Sequence, residues 1–198
     1  MAGNREAYAQ WMRQAIQHTQ RSDWKAAAEA YRRALVEFPT DLAATIGLGK
    51  SWVEMGQLQM AFKAFERAVQ LAPQDLLALG SLADAQERLG ALPEAAATYC
   101  KMAEVALQGG DLQAAADAWM RATRLAPERT EAYRQLARAL ERLGRYRQAA
   151  AEYVSLGAIH ERRKEWEEAR TCYQEALRLD AANSAARARL EALHAAAR

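Results

Sequence analysis

Between Leu48 and Pro73 small and apolar residues recur at helical spacing. Leu48, Gly49 and Trp52 come first, Gly56 interrupts, and Leu58, Ala61, Phe65 and Ala68 follow before Pro73. A three-to-four-residue period, a glycine break and a terminal proline predict two antiparallel helices joined by a tight turn. The pattern recurs. Ala27, Tyr31, Ala34 and Pro39 precede Ala61, Phe65, Ala68 and Pro73 by one constant interval, about 34 residues. Trp11, Ala15 and His18 stand where Thr45, Gly49 and Trp52 stand, and a third copy starts near Leu76 with Leu79, Leu82, Ala83, Gly90, Ala95 and Tyr99.

The interval then shortens. Ala95 is followed by Ala115, Trp119, Ala122 and Pro127, and Ala149 by Ala169, Tyr173 and Ala176, at little more than half the earlier distance. A helix from about Pro93 to Leu107 therefore serves two hairpins, and the helix around Tyr153 does the same. Residues 76–129 and 130–183 align without gaps, sharing Leu82/Leu136, Ala83/Ala137, Gly90/Gly144, Tyr99/Tyr153 and Ala115/Ala169. The reading is one solenoid domain over 1–198: two ordinary helical pairs (8–75), a duplicated three-helix unit (76–129 and 130–183) and a capping helix (183–196). This is an all-α fold of about eleven helices, in which each hairpin buries its apolar face on its neighbours.

With this period and order of side chains, the chain resembles the tetratricopeptide repeat family over about residues 8–183. Leu48-Gly49-Trp52 and Leu156-Gly157 match the family's first-helix pattern. Ala61-Phe65-Ala68-Pro73 and Ala115-Trp119-Ala122-Pro127 match its second-helix pattern. Met102, Leu156 and Ala181 depart from it. The resemblance implies a right-handed α-α superhelix and a non-catalytic scaffold that holds a partner peptide or helix in its concave groove. The family's carboxylate-clamp subgroup places Lys and Asn on the first helices, where this chain has Met12, Ile16, Gly47, Leu77 and Ser81. That argues against a chaperone-tail adaptor.

The residues support the same packing. Ala15, Gly49, Ala83, Ala103, Ala137 and Gly157 are small enough for close helix approach. Tyr31, Phe65, Tyr99, Trp119, Tyr153 and Tyr173 are expected to fill the space between hairpins, each worth roughly 1.5–3 kcal/mol when buried. Gly56, Gly90, Gly110 and Gly144 fall at turns that call for a left-handed residue.

Composition narrows function more than fold. The net charge of +2 is too small to argue for nucleic acid. No apolar run reaches the roughly 18 residues of a membrane span. Ala2 occupies the position where myristoylation needs glycine. Cys100 and Cys172 lack a Cys-x-x-Cys partner and read as reduced core fillers, consistent with a cytoplasmic setting. His18, His160 and His194 are far apart and lack ligand spacing, so neither metal nor cofactor is expected. No phosphate-loop motif occurs, and Glu161, Glu167 and Glu168 sit among Arg162, Arg163, Lys164 and Arg170 as a solvated charged face.

What remains is the inner face of the first helices. In the first repeats Met12, Arg13, Ile16, Ile46, Lys50 and Val53 are the expected partner-binding residues; Met12, Ile16, Ile46 and Val53 are more apolar than a solvated face requires, and partial cover by the neighbouring helix is the alternative. Farther along they give way to Asp84 and then to Arg134, Arg138 and Arg142, four apart and so on one helix face, with Arg145 and Arg147 nearby. That face suits an acidic segment or a C-terminal carboxylate. Pairing with Glu131 and Glu141 is the alternative. A nucleic-acid-associated solenoid using the Arg134–Arg147 and Arg162–Lys164 patches is the rival function, opposed by Glu152, Glu161, Glu165, Glu167 and Glu168. Self-association through an end helix stays open.

Overall fold

The computed structural model describes residues 3–196; Ala2 lies outside them. Eleven helices and no strand are present among the described residues. In order they are α1 (Arg5–Gln20), α2 (Trp24–Glu37), α3 (Leu42–Glu54), α4 (Leu58–Leu71), α5 (Leu76–Arg88), α6 (Leu92–Gln108), α7 (Leu112–Leu125), α8 (Thr130–Arg142), α9 (Tyr146–Arg162), α10 (Trp166–Leu179) and α11 (Ser184–Ala196). The all-α expectation and the helix count hold. Helices α5, α6 and α7 have 13, 17 and 14 residues, and α8, α9 and α10 repeat those lengths. The chain divides into two compact units, Met1–Thr98 and Tyr99–Arg198, with the boundary inside α6.

The hairpin turns share one device. Gly56, Gly90, Gly110 and Gly144 have φ of 73–83°, and Ser22 and Lys164 take the equivalent place with φ 58° and 61°. At each turn the amide after the left-handed residue donates back to a helix carbonyl, as Arg145 does to Leu140 and Glu165 to His160. These bonds satisfy carbonyls that the helix end leaves open. Aspartates start several helices. Asp41 and Asp75 each accept a 2.7 Å bond, from the Ala44 and Ala78 amides respectively.

In Met1–Thr98 the core forms around Tyr31 and Phe65, both buried, with an alanine or glycine facing each ring. A Cβ on Gly49 would stand 2.5 Å from Phe65 Cε1, so only glycine lets α3 and α4 approach this closely. Tyr8 Oη donates to Asp41 Oδ2 at 2.8 Å, and burial followed by this carboxylate pushes the phenol up to about 12. In Tyr99–Arg198 the frame is the same. Tyr99, Trp119, Tyr153 and Tyr173 are buried, and a Cβ on Gly157 would meet Tyr173 Cε1 at 2.6 Å. Tyr173 Oη donates to Glu161 at 2.7 Å, and Arg189 of α11 reaches the same carboxylate at 3.4 Å. Ala186 and Leu193 hold α11 to this core.

Candidate functional site

The N-terminal residues expected to line a groove separate by burial. Ile16 is 47% exposed, and Arg13 and Lys50 are also exposed. Met12 and Val53 are half-buried against the clusters around Tyr31 and Phe65. Ile46 corrects the expectation: at 5% exposure it is core and presents no surface to a partner. The reason is that α3 packs against α2, α4 and α5. This buries Ala44, Thr45, Ile46, Leu48, Gly49 and Ser51 around much of its circumference. Asp84, on α5, is exposed.

The C-terminal unit holds a formed groove of about 250 Å³. Helix α9 is its floor, contributing Tyr153, Leu156 and His160 at three- and four-residue steps. Helix α8 is one wall, with Arg134 and Arg138. Helix α10 is the other, with Glu168, Thr171, Cys172 and Glu175. The walls therefore carry opposite charge over a largely apolar floor.

Each group has a distinct electrostatic state. Arg134 donates to Glu131 at 2.8 Å. Arg138 is exposed and makes no ion pair among the described residues. Arg178 bridges the walls, reaching Glu175 of α10 and Glu141 of α8 at 2.7 Å each, and these bonds raise its pKa. The Cys172 thiol is pushed up to about 11, mainly by burial. It is thus a neutral side chain at physiological pH, the reverse of an activated nucleophile. Burial, then Glu141 and Glu175, also raise Tyr153. His160 is 6% exposed, with Nδ1 2.5 Å from Glu165 Oε2. With the proton placed on Nδ1 to satisfy that carboxylate, Nε2 is left without a hydrogen-bond partner.

Sequence spacing points to one wall, through Arg134 and Arg138. It leaves Glu168 on a solvated face, Cys172 as core filling and His160 without a role. Glu168, Thr171, Cys172 and Glu175 stand at i, i+3, i+4 and i+7 on α10. That spacing marks one stripe, but only the packing of α10 beside α9 turns the stripe toward Arg134 and Arg138. Arg142 is exposed one turn beyond Arg138, outside the groove lining. In the other basic patch, Arg162 and Arg163 share Glu128, at 3.0 and 3.4 Å. No group of three or more His, Cys, Asp or Glu side chains suited to a metal occurs among the described residues. No helix there is long and apolar enough to cross a membrane.

Family models described as Tetratricopeptide repeat match residues 12–75, 46–104 and 100–158, and another match covers 150–183. The chain belongs to the tetratricopeptide repeat family. Among solved structures, the TPR2B domain of yeast Sti1, in a complex with pHsp70, is similar with a TM-score of 0.56 and 15% identity. That match covers 63% of this chain and 99% of the other. A MamA protein is similar at 21% identity and a TM-score of 0.42, covering 88% of this chain and 92% of that one. MamA from Desulfovibrio magneticus RS-1 gives 14% identity and a TM-score of 0.46, covering 81% and 98%. No curated protein matches the chain.

Proposed function

We propose that the protein is a non-catalytic scaffold that binds a partner polypeptide in the groove of α8, α9 and α10. The observation that carries this reading is the groove's composition. A largely apolar floor between a basic and an acidic wall suits a chain with alternating apolar and charged side chains. The raised Cys172 pKa gives no support to nucleophilic chemistry there. The yeast Sti1 domain of like fold was solved in a complex with pHsp70, which supports a polypeptide as the class of partner. Nucleic acid is the weaker reading, because Glu128 engages both Arg162 and Arg163 and offsets one of their two charges, and the net charge of the chain is only +2. The exposed Ile16 and Lys50 of the N-terminal unit are assigned an auxiliary contact.

Selection from a random peptide display library on the immobilised full chain tests the proposal. Enriched peptides are expected to compete with one another and to lose binding to Thr171→Arg, which places a long side chain in the groove. Absence of enrichment, or peptides indifferent to Thr171→Arg and Arg138→Glu alike, contradicts it. Enrichment lost on Ile16→Glu/Lys50→Glu instead would move the site to the N-terminal unit.

A further inference from the structure

Most arginines of the C-terminal unit have a partner. Arg134, Arg162, Arg163, Arg170, Arg178 and Arg189 pair with carboxylates. The run at the α8–α9 turn differs. Arg138, Arg142, Arg145 and Arg147 are all exposed, and none makes an ion pair or side-chain hydrogen bond among the described residues. The acid within that stretch, Glu141, is engaged by Arg178.

Two features join this patch to the groove. Arg142 follows Arg138 by four residues on α8, so the basic wall continues one turn past the groove. Tyr146 precedes Tyr153 by seven residues on α9, so the aromatic line of the floor continues to a ring that is 53% exposed. Arg145 and Arg147 flank that ring in a shallow recess with Gly144 and Gln148. Basic groups predominate at this turn. Arg145 stands at the N-cap of α9 and makes no side-chain cap bond, which leaves a cation where a helix start favours an anion.

We infer that the α8–α9 turn, from Arg138 through Arg147, docks an internal acidic stretch of polypeptide. This rests on the reading that the adjoining groove holds a polypeptide, and it specifies the charge of the segment leaving the groove on this side. Exposed guanidinium forks pair with carboxylates two bonds at a time, and the Tyr146 ring covers the aliphatic stem of a glutamate. An acidic peptide fits better than nucleic acid because the basic run is confined to one turn of a chain with net charge +2. Nucleic-acid affinity grows with the number of phosphates neutralised, and four clustered arginines offer a short track.

Fluorescence anisotropy on the full chain tests this, using an amidated oligoglutamate that has no terminal carboxylate. Oligouridylate and phosphatidylserine vesicles are the competing ligands. The oligoglutamate is expected to bind at low ionic strength and to weaken about tenfold with Arg145→Gln/Arg147→Gln. Arg145→Lys/Arg147→Lys should recover only part of the affinity, because the charge remains but the two-pronged bonds are lost. Thr171→Arg should not matter, because this probe needs no groove. Circular dichroism checks that the exposed substitutions leave the fold intact. No binding at low salt, equal binding by the glutamine variant, or tighter binding of oligouridylate or vesicles overturns the inference. If library-selected peptides ignore Thr171→Arg while oligoglutamate still needs Arg145 and Arg147, the groove reading fails and the arginine turn stands.

Discussion

Two grooves of similar size lie in the C-terminal unit. One, about 230 Å³, is lined by Cys100, Glu104 and Leu107 of α6, Trp119 of α7, and Arg129, Glu131, Ala132 and Gln135. The other, about 250 Å³, lies among α8, α9 and α10. One side of each corresponds between successive repeats: Cys100, Glu104 and Trp119 each stand one repeat before Arg134, Arg138 and Tyr153. The floor ring is kept while the wall changes from thiol and carboxylate to two guanidinium groups. Packing positions therefore set the room, and the positions between them, free of packing constraints, set the chemistry.

The largest effect comes from breaking the shared frame. Gly157→Leu puts a side chain where a Cβ alone would stand 2.6 Å from the Tyr173 ring. It should cost about 3 kcal/mol, read as a lowered melting temperature or denaturation midpoint. The sequence-equivalent Ala103, already bearing a Cβ, should tolerate Gly at about 1 kcal/mol. Equal effects would contradict the glycine's role.

Thiol chemistry sharpens the contrast. Cys172 is buried with a pKa of about 11, against an ordinary 9.0. The shift is upward, so thiolate is scarce below that pH and grows as pH rises toward it. At pH 8 this means roughly a hundredfold less thiolate than an ordinary cysteine. Cys100 is raised too, by burial, but is more accessible. Iodoacetamide at pH 8 should therefore modify Cys100 well before Cys172 in the native chain. Equal rates would contradict the packing of α10 on α9.

Exchanging wall charges gives a smaller change. Arg138→Glu should weaken an acidic peptide about tenfold, and Glu104→Arg should strengthen its binding to the first groove by a lesser factor. An anisotropy titration reads both. The smallest expected effect lies at the turns. Lys164→Gly removes a left-handed lysine, φ 61°, and should stabilise by about 1 kcal/mol. The matching Gly144→Lys should destabilise. Thermal melts showing both variants unchanged would argue against the shared turn geometry.

Much of the fold was legible because packing repeats. Tyr31, Phe65, Tyr99, Trp119, Tyr153 and Tyr173 were recognisable as core from their common register, and all six are buried. The four turn glycines were legible for the same reason. Ser22 and Lys164 were not, since neither residue type advertises a left-handed backbone. The groove was half legible. The four-residue spacing of Arg134 and Arg138 marks a helix face, but its opposition to Glu168 and Glu175 depends on three helices meeting. Ile46 misled because an apolar residue between packing positions reads as surface until α5 is seen to cover it. The His160–Glu165 contact crosses a turn whose lysine gave no sign of bringing the two together.

The most direct test of the groove assignment is a ¹H–¹⁵N NMR titration of the full chain with a library-selected peptide that carries leucines and an acidic run. Perturbed amides are expected at Arg134, Arg138, Leu156, His160 and Thr171, continuing to Arg145 and Tyr146, with Cys100, Glu104 and the Trp119 indole unchanged. Perturbations centred on Glu104 and Trp119, or on Met12 to Val53, would contradict it.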